Sequence, residues 1–221
     1  MAAPHVLILG PPGAGKGTQA GRIADRFEVD HVTTGDALRS NKEMDISHLD
    51  CEYDTPGEYM DRGELVPDAV VDEIVETALA ESEGFVLDGY PRTDDQADAL
   101  AAMTDLDVVL ALEVPHDVLL ERLTGRRVCA ECGTNFHVDF DPPVESGVCD
   151  ECGGELVQRE DDQPESVEHR LEVFAETTAP VIDRYRDRSA FVPIDGDRSP
   201  ETVWGDIEAT IADAIADEKQ R

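Results

Sequence analysis

Lysine is nearly missing from this chain. Only Lys16, Lys42 and Lys219 occur among 221 residues, and Lys plus Arg number 18 against 51 Asp plus Glu, a net charge of −33. A surface with so few cations has no footprint for a phosphate backbone, which excludes duplex nucleic acid as an expected partner. Long apolar runs are missing too. No stretch of 18 apolar residues occurs, so no membrane-spanning helix is expected. Met1 to Pro4 lead straight into an apolar run and leave no room for a cleavable leader, so a cytoplasmic protein is expected. Aromatics make up 5% of the chain and cysteines number five. The length suits one domain with inserted subdomains.

The acids that are present do not form a tail. They are spread through periodic segments backed by apolar residues, the pattern of a folded protein with an acidic surface. Such a composition suits a cytoplasm of molar salt, where the Debye length falls to about 3 Å and surface repulsion is muted. A halophilic source is therefore expected.

The stretch that organises the chain is Gly10-Pro11-Pro12-Gly13-Ala14-Gly15-Lys16-Gly17-Thr18-Gln19. It follows the apolar run 5–9 and precedes Ala20, Ile23, Ala24 and Phe27 at helical spacing, giving strand, glycine-rich turn and amphipathic helix. Glycines let backbone N–H groups converge on an anion, and the helix N-terminus adds positive potential. Gly10, Gly15 and Lys16 satisfy the P-loop pattern, but Gly17 takes the usual Ser/Thr position and Thr18 follows.

Further strands are expected at 29–32, 85–87, 108–112 and 191–194. Helices are expected from Pro67 through Leu79, at 93–102, at 116–124, from 164 to 187 with a kink at Pro180, and at 199–218. Short helices are expected at 36–40 and 57–62, separated by a polar, irregular stretch over 41–56. Strands alternating with helices predict an α/β fold, with a parallel sheet covered on both faces.

Asp88 ends the strand at 85–87. A carboxylate there can hold magnesium beside P-loop phosphates, or it can simply serve the turn before Gly89. Arginines are few and stand near glycine turns or inside the segment 125–162: Arg39, Arg92, Arg122, Arg126, Arg127, Arg159 and Arg170. A guanidinium fork suits phosphate oxygens, and surface pairing with the abundant carboxylates is the competing use. Cys129-x2-Cys132 and Cys149-x2-Cys152 lie 16 residues apart, a spacing that brings four thiolates around one zinc. Disulfides are disfavoured in a reducing compartment. Cys51 is left as an ordinary thiol, and His137 is not needed as a ligand. Asp161 and Asp162, at the exit of the cysteine segment, are either a hinge clamp or an acidic surface pair.

Taken together, these residues resemble the adenylate kinase family in its long form, with a zinc-ribbon lid. The resemblance spans nearly the whole chain. It rests on Gly10–Gln19, on Thr34-Gly35-Asp36-Ala37-Leu38-Arg39, on Asp88-Gly89-Tyr90-Pro91-Arg92 with Gln96, on Arg122 to Arg127, on Arg159 to Asp162, and on Arg170. It implies reversible phosphoryl transfer, ATP plus AMP giving two ADP with magnesium, on a P-loop NTPase-type sheet of order 2-3-1-4-5. Residues 1–32, 67–124 and 163–221 would form the core, 33–66 an AMP-binding helical subdomain and 125–162 the zinc-binding lid. Lys16, Arg92, Arg126, Arg159 and Arg170 would be catalytic. ATP would meet Gly13, Ala14, Gly15, Lys16, Gly17, Thr18, Arg122, Arg126, Asn135, Phe136 and Arg198. AMP would meet Thr34, Arg39, Glu64, Leu65, Val66, Gly89, Tyr90, Pro91, Arg92, Gln96, Arg159 and Arg170. Thr18 and Asp88 would hold magnesium indirectly, Asp161 and Asp162 the lid hinge, and Cys129, Cys132, Cys149 and Cys152 structural zinc. A monomer acting on small nucleotides is expected, with no nucleic acid or membrane partner. A kinase for UMP/CMP, or one pairing GTP with AMP, is a nearby alternative, and a zinc-ribbon nucleic-acid-binding switch a distant one.

Overall fold

The computed structural model describes residues 3–62 and 66–218. Five strands form one parallel sheet: β1 (His5–Leu9), β2 (Asp30–Thr33), β3 (Phe85–Asp88), β4 (Val108–Glu113) and, last in the chain, β8 (Phe191–Asp195). Their order is β2-β3-β1-β4-β8 and every pairing is parallel, which is the expected 2-3-1-4-5 order. Three short lid strands lie between β4 and β8 in sequence: β5 (Arg126–Cys129), β6 (Asn135–His137) and β7 (Leu156–Val157).

The central strands are apolar on both sides because helices cover both faces. Side chains alternate along β1, so Val6 and Ile8 enter one layer and Leu7 and Leu9 the other. The first layer is closed by α1 (Lys16–Phe27), α6 (His116–Thr124), α7 (Pro164–Val173) and α9 (Pro200–Glu218), which contribute Ile23, Leu119, Leu123, Val167, Leu171, Ile207 and Ile211. The second is closed by α4 (Asp68–Glu81), α5 (Asp94–Met103) and α8 (Ala179–Tyr185), through Val71, Val75, Ala97, Leu100, Val181 and Tyr185. Among the described residues no helix is long and apolar enough to cross a membrane.

One expectation needs correction. The helix expected over 164–187 is not continuous. A π-helical turn, Phe174–Thr178, separates α7 from α8, and the Ala179 N–H bonds to the Phe174 carbonyl five residues back. Pro180 has no N–H for the carbonyl four residues earlier and its ring crowds that carbonyl, so the ladder widens just before it. Residues 41–55 carry no helix or strand, as expected. Between α2 (Thr34–Ser40) and α3 (Pro56–Arg62) they wrap a small core of Ile46, Tyr59, Val70 and Ile74. The Tyr59 hydroxyl accepts the N–H groups of Glu52 and Tyr53 at 2.9 and 3.3 Å, and the Glu58 carboxylate accepts those of Asp54 and Thr55. Polar side chains thus satisfy the loop backbone, while Cys51 packs against the apolar cluster.

The lid strands make an antiparallel sheet of order β6-β5-β7. Its two cysteine turns are alike. Gly133 and Gly153 each follow a Cys-x2-Cys pair at φ near +75° and return an N–H to the first cysteine's carbonyl, at 3.0 and 2.8 Å. At the base, the Gln158 amide donates to the carbonyls of Thr124 and Asp162, at 2.9 and 3.1 Å, tying entry to exit.

Candidate active site

The carboxyl ends of β1, β2 and β3, the loop after β1 and the arms of the lid enclose a cleft of about 860 Å³. The loop needs its glycines. Gly10 and Gly13 have φ of +148° and +83°, and a Cβ would come within 2.8 Å of the Leu112 carbonyl and 2.9 Å of the Leu123 side chain. Lys16 folds back on its own loop, its Nζ donating to the carbonyls of Gly10 and Pro11 at 2.8 and 2.9 Å. Burial lowers its pKa, Asp88 opposes that shift, and Arg92, Arg170 and Arg126 add to it. Asp88, across the cleft, is pushed up by burial and partly restored by Lys16. His31 Nε2 lies 4.0 Å from its Oδ2.

Lys16, Gly13, Gly15, Gly17, Thr18, Thr34, Asp88, Gly89, Tyr90, Pro91, Arg92, Arg122, Arg126, Asn135, Arg159 and Arg170 all line this one cleft. Arg92 is braced by its Nε donating to the Gly89 carbonyl at 2.7 Å and by Thr34 Oγ1 at 3.4 Å. Asp162, fully buried, takes Arg126 in a two-point grip, Nε at 2.8 Å and a terminal nitrogen at 2.5 Å. Arg170 reaches the same carboxylate at 3.4 Å and that of Asp161 at 2.9 Å. Arg92 and Arg159 carry no ion pair among the described residues.

Other expected contacts lie off the cleft wall. Phe136 is buried with Cys129, Cys149 and Leu156 in the lid core, because adjacent residues of a strand face opposite ways and Asn135 takes the cleft side. Arg198 turns to Asp206 at 2.5 Å and Asp195 at 3.3 Å. Arg39 pairs with Asp36. Ala14 is packed in the core, Val66 is half-buried between two apolar clusters, and Gln96 is buried behind the Arg92 backbone. Glu64 and Leu65 fall outside the described residues. Sequence reasoning missed His169, Val173, Phe174, Thr177 and Thr178, which form a wall of the cleft. The Thr178 hydroxyl donates to the Arg92 carbonyl at 3.3 Å. No motif marks these residues; His169 and Val173 stand on α7, and Phe174, Thr177 and Thr178 on the π-turn before Pro180.

In the lid, the four sulfurs of Cys129, Cys132, Cys149 and Cys152 lie within 4.8 Å of one another. Cys129 and Cys152 are 3.4 Å apart, Cys132 and Cys149 3.6 Å, and all four are free thiols. A tetrahedron with Zn–S bonds of ~2.3 Å has edges of about 3.8 Å, so the cluster fits zinc. Thr134 lowers the Cys132 thiol to about 6 by hydrogen bonds from its hydroxyl and its N–H. At Cys152 the Gly154 N–H favours the thiolate, but the sulfurs of Cys132 and Cys129 outweigh it and push the thiol up to about 12. Clustered sulfurs shed their protons together only around a cation.

A P-loop at the end of a parallel sheet, facing an arginine-lined cleft under an inserted lid, defines a nucleotide-dependent phosphotransferase. A sequence model of the family described as adenylate kinase matches residues 8–190. The chain is 60% identical over 211 residues to the adenylate kinase of Haloarcula marismortui, covering 96% of this chain and 98% of the relative. It is 58% identical over 216 residues to that of Halobacterium salinarum (98% and 100% covered), and 46% identical over 219 residues to that of Thermoanaerobacter sp. (95% and 98%). The chain belongs to the adenylate kinase family. It is a nucleoside monophosphate kinase, and relatives from Haloarcula and Halobacterium fit the halophilic reading of its acid-rich composition.

Proposed function

We propose that the cleft binds ATP and AMP together and that the residues on its walls divide the work as follows. The turn Gly13–Thr18 cradles the ATP phosphates, and Lys16 leaves the Gly10 and Pro11 carbonyls to meet them. Arg92 and Arg39 hold the AMP phosphate as the in-line nucleophile; Arg39 reaches it by leaving Asp36. Lys16, Arg126, Arg159 and Arg170 gather on the transferred group and offset the charge that develops there. No general base is needed, because the attacking phosphate is already ionised. Adenylate kinases use the magnesium nucleotide. Thr18 and Asp88, on the same cleft, fit as its indirect holders, and the metal supplies charge neutralisation between phosphates.

Thr34 and Gln96 read the AMP base, helped by Glu64, Leu65, Val66 and the turn Gly89–Pro91. Arg122 and Asn135 wall the ATP adenine once the lid has closed, and Arg198 joins them on leaving Asp206. In this reading 33–66 is the AMP subdomain and 125–162 the zinc-bearing lid on a core of 1–32, 67–124 and 163–221. Asp161 and Asp162 act at the hinge, holding Arg126 and Arg170 until phosphate replaces them. Closure excludes the water that would otherwise accept the phosphoryl group. The protein works as a cytoplasmic monomer on small nucleotides, without nucleic acid.

The observation that carries this reading is the pair Arg92 and Arg159. In a chain of −33, two guanidinium groups facing one cleft with no carboxylate partner among the described residues are kept for an external anion. A coupled ADP assay in molar KCl, run with ATP and a panel of monophosphates, tests it. AMP should be the preferred acceptor, and a preference for UMP or CMP would overturn the assignment. Arg92→Lys keeps the charge but loses the planar fork and its brace on Gly89. Its kcat/KM should fall roughly 100-fold, about 2.7 kcal/mol of transition-state stabilisation, with the fold intact. Turnover close to that of the parent would remove Arg92 from the reacting centre.

A further inference from the structure

The side-chain amide of Gln96 is held from both ends. The backbone N–H of Arg92 donates to its Oε1 at 2.8 Å, and its Nε2 donates to Asp68 Oδ1 at 2.9 Å. A backbone N–H can only donate and a carboxylate can only accept, so the two partners agree on one orientation of the amide. Asp68 is itself steadied. Thr93 Oγ1 donates to its Oδ2 at 3.3 Å, and the same Thr93 caps α5 by accepting the Gln96 N–H at 3.3 Å. One turn along α4, Asp72 accepts the hydroxyl of the fully buried Tyr90 at 2.7 Å. The start of α4 is thereby fastened to the cleft wall at Gly89–Arg92.

We propose that Asp68 is a positioning residue that locks the Gln96 amide and so makes the acceptor site choose adenine over the oxo-purines. This rests on the reading of Gln96 as the residue that meets the AMP base. The logic is one of donors and acceptors. After Arg92 and Asp68 are served, Oε1 keeps one lone pair and Nε2 keeps one N–H. Adenine presents an N6–H donor beside the N1 acceptor. Hypoxanthine and guanine present the reverse, an O6 acceptor beside an N1–H donor. A free glutamine amide can turn over and serve either base. A locked one cannot, and an oxo-purine then meets acceptor with acceptor and donor with donor, a mismatch that binding sites reject strongly. Without Asp68, only the Arg92 N–H opposes the turn.

The test compares Asp68→Ala, Asp68→Asn and Gln96→Ala in molar KCl, with ATP as donor and AMP, IMP or GMP as acceptor. In Asp68→Ala the KM for AMP should rise about 10-fold and the AMP-over-IMP ratio of kcat/KM should fall about 10-fold, while kcat with AMP and the KM for ATP stay within about two-fold. Asp68→Asn keeps an acceptor oxygen and should hold the ratio within about three-fold of the parent. Asp68→Ser, too short to reach Gln96 but able to serve the first turn of α4, carries the same expectation as Ala if the alanine variant does not fold. Gln96→Ala should abolish the preference. If it does so while Asp68→Ala and Asp68→Ser leave the ratio unchanged, the lock is overturned and the base-reading role of Gln96 stands. An unchanged ratio in Gln96→Ala would overturn both. A fall in kcat at constant selectivity in Asp68→Ala would reduce Asp68 to a structural residue and overturn the lock.

Discussion

Removing zinc should unfold residues 125–162 and leave the five-stranded core in place. Metal analysis of the purified protein should show about one zinc per chain. After chelation, a protease should cut within 125–162 while the core resists. The reason is how little else holds this segment. Its core consists of Cys129, Phe136, Cys149 and Leu156, so beyond the two cysteines only two apolar side chains are buried together. Those two contribute on the order of 5 kcal/mol at most, whereas a structural zinc in a four-thiolate site is worth on the order of 10 kcal/mol of folding free energy. β7 is only two residues long, and much of the segment between β6 and β7 is exposed. Arg126, Asn135 and Arg159 reach the cleft from this segment, so ATP turnover should fall with it. Metal-free protein with full activity and an uncut lid would refute the zinc assignment. Cys132→Ser provides a second route: zinc content should drop in parallel with lid resistance.

Raising KCl from 0.1 M to above 1 M should raise both the thermal midpoint and the activity. A compact chain of this length has a radius near ~20 Å. Spreading a charge of −33 over such a sphere gives a self-repulsion on the order of 40 kcal/mol at 0.1 M salt and about 15 kcal/mol at 1 M. The unfolded chain retains much of that repulsion. If only a third of the difference acts on folding, about 8 kcal/mol remains, comparable to the whole stability of ~5–15 kcal/mol typical of a domain. Salt also weakens surface pairs such as Arg26–Glu208 and Lys42–Asp61, but exposed pairs contribute only ~0–1 kcal/mol each. Most carboxylates here have no cation to lose. The substrates are anions, and the same field opposes their approach to the cleft. A midpoint that stays flat or falls over this range, followed by thermal unfolding at several KCl concentrations, would show that the acidic surface is not an adaptation to salt.

Much of the fold was legible because its signals are local. The apolar runs 5–9 and 108–112 read as buried strands and are strands, since a strand covered on both faces has no polar alternation to hide it. The P-loop and both cysteine pairs were readable from a few neighbouring residues. Where the reading failed, the deciding interaction was distant or backbone-specific. The 41–56 stretch is irregular as its polarity suggested, but what holds it was not readable: Tyr59 and Glu58, outside it, satisfy its N–H groups. The helix at 164–187 had the right periodicity on both sides of Pro180, but periodicity does not register a change from i−4 to i−5 hydrogen bonding.

The sequence by itself determined the α/β class, the glycine-rich turn after β1, the four cysteines that cluster in the lid, the expected salt dependence and, through its motifs, the family. These depend on residues close together in the chain or on total charge, which need no knowledge of packing. Only the tertiary structure decided which arginines share the cleft and what holds them. Arg126 from β5, Asp162 from the lid exit and Arg170 from α7 meet because the lid's two arms close on one base. Phe136 left the adenine wall for the lid core, and Arg198 turned to Asp206. Asp68, unmarked in the sequence, came to face Gln96 across 28 positions. A side chain's orientation is set by the partners that packing brings to it, and those partners are scattered along the chain in no pattern that a linear reading can register.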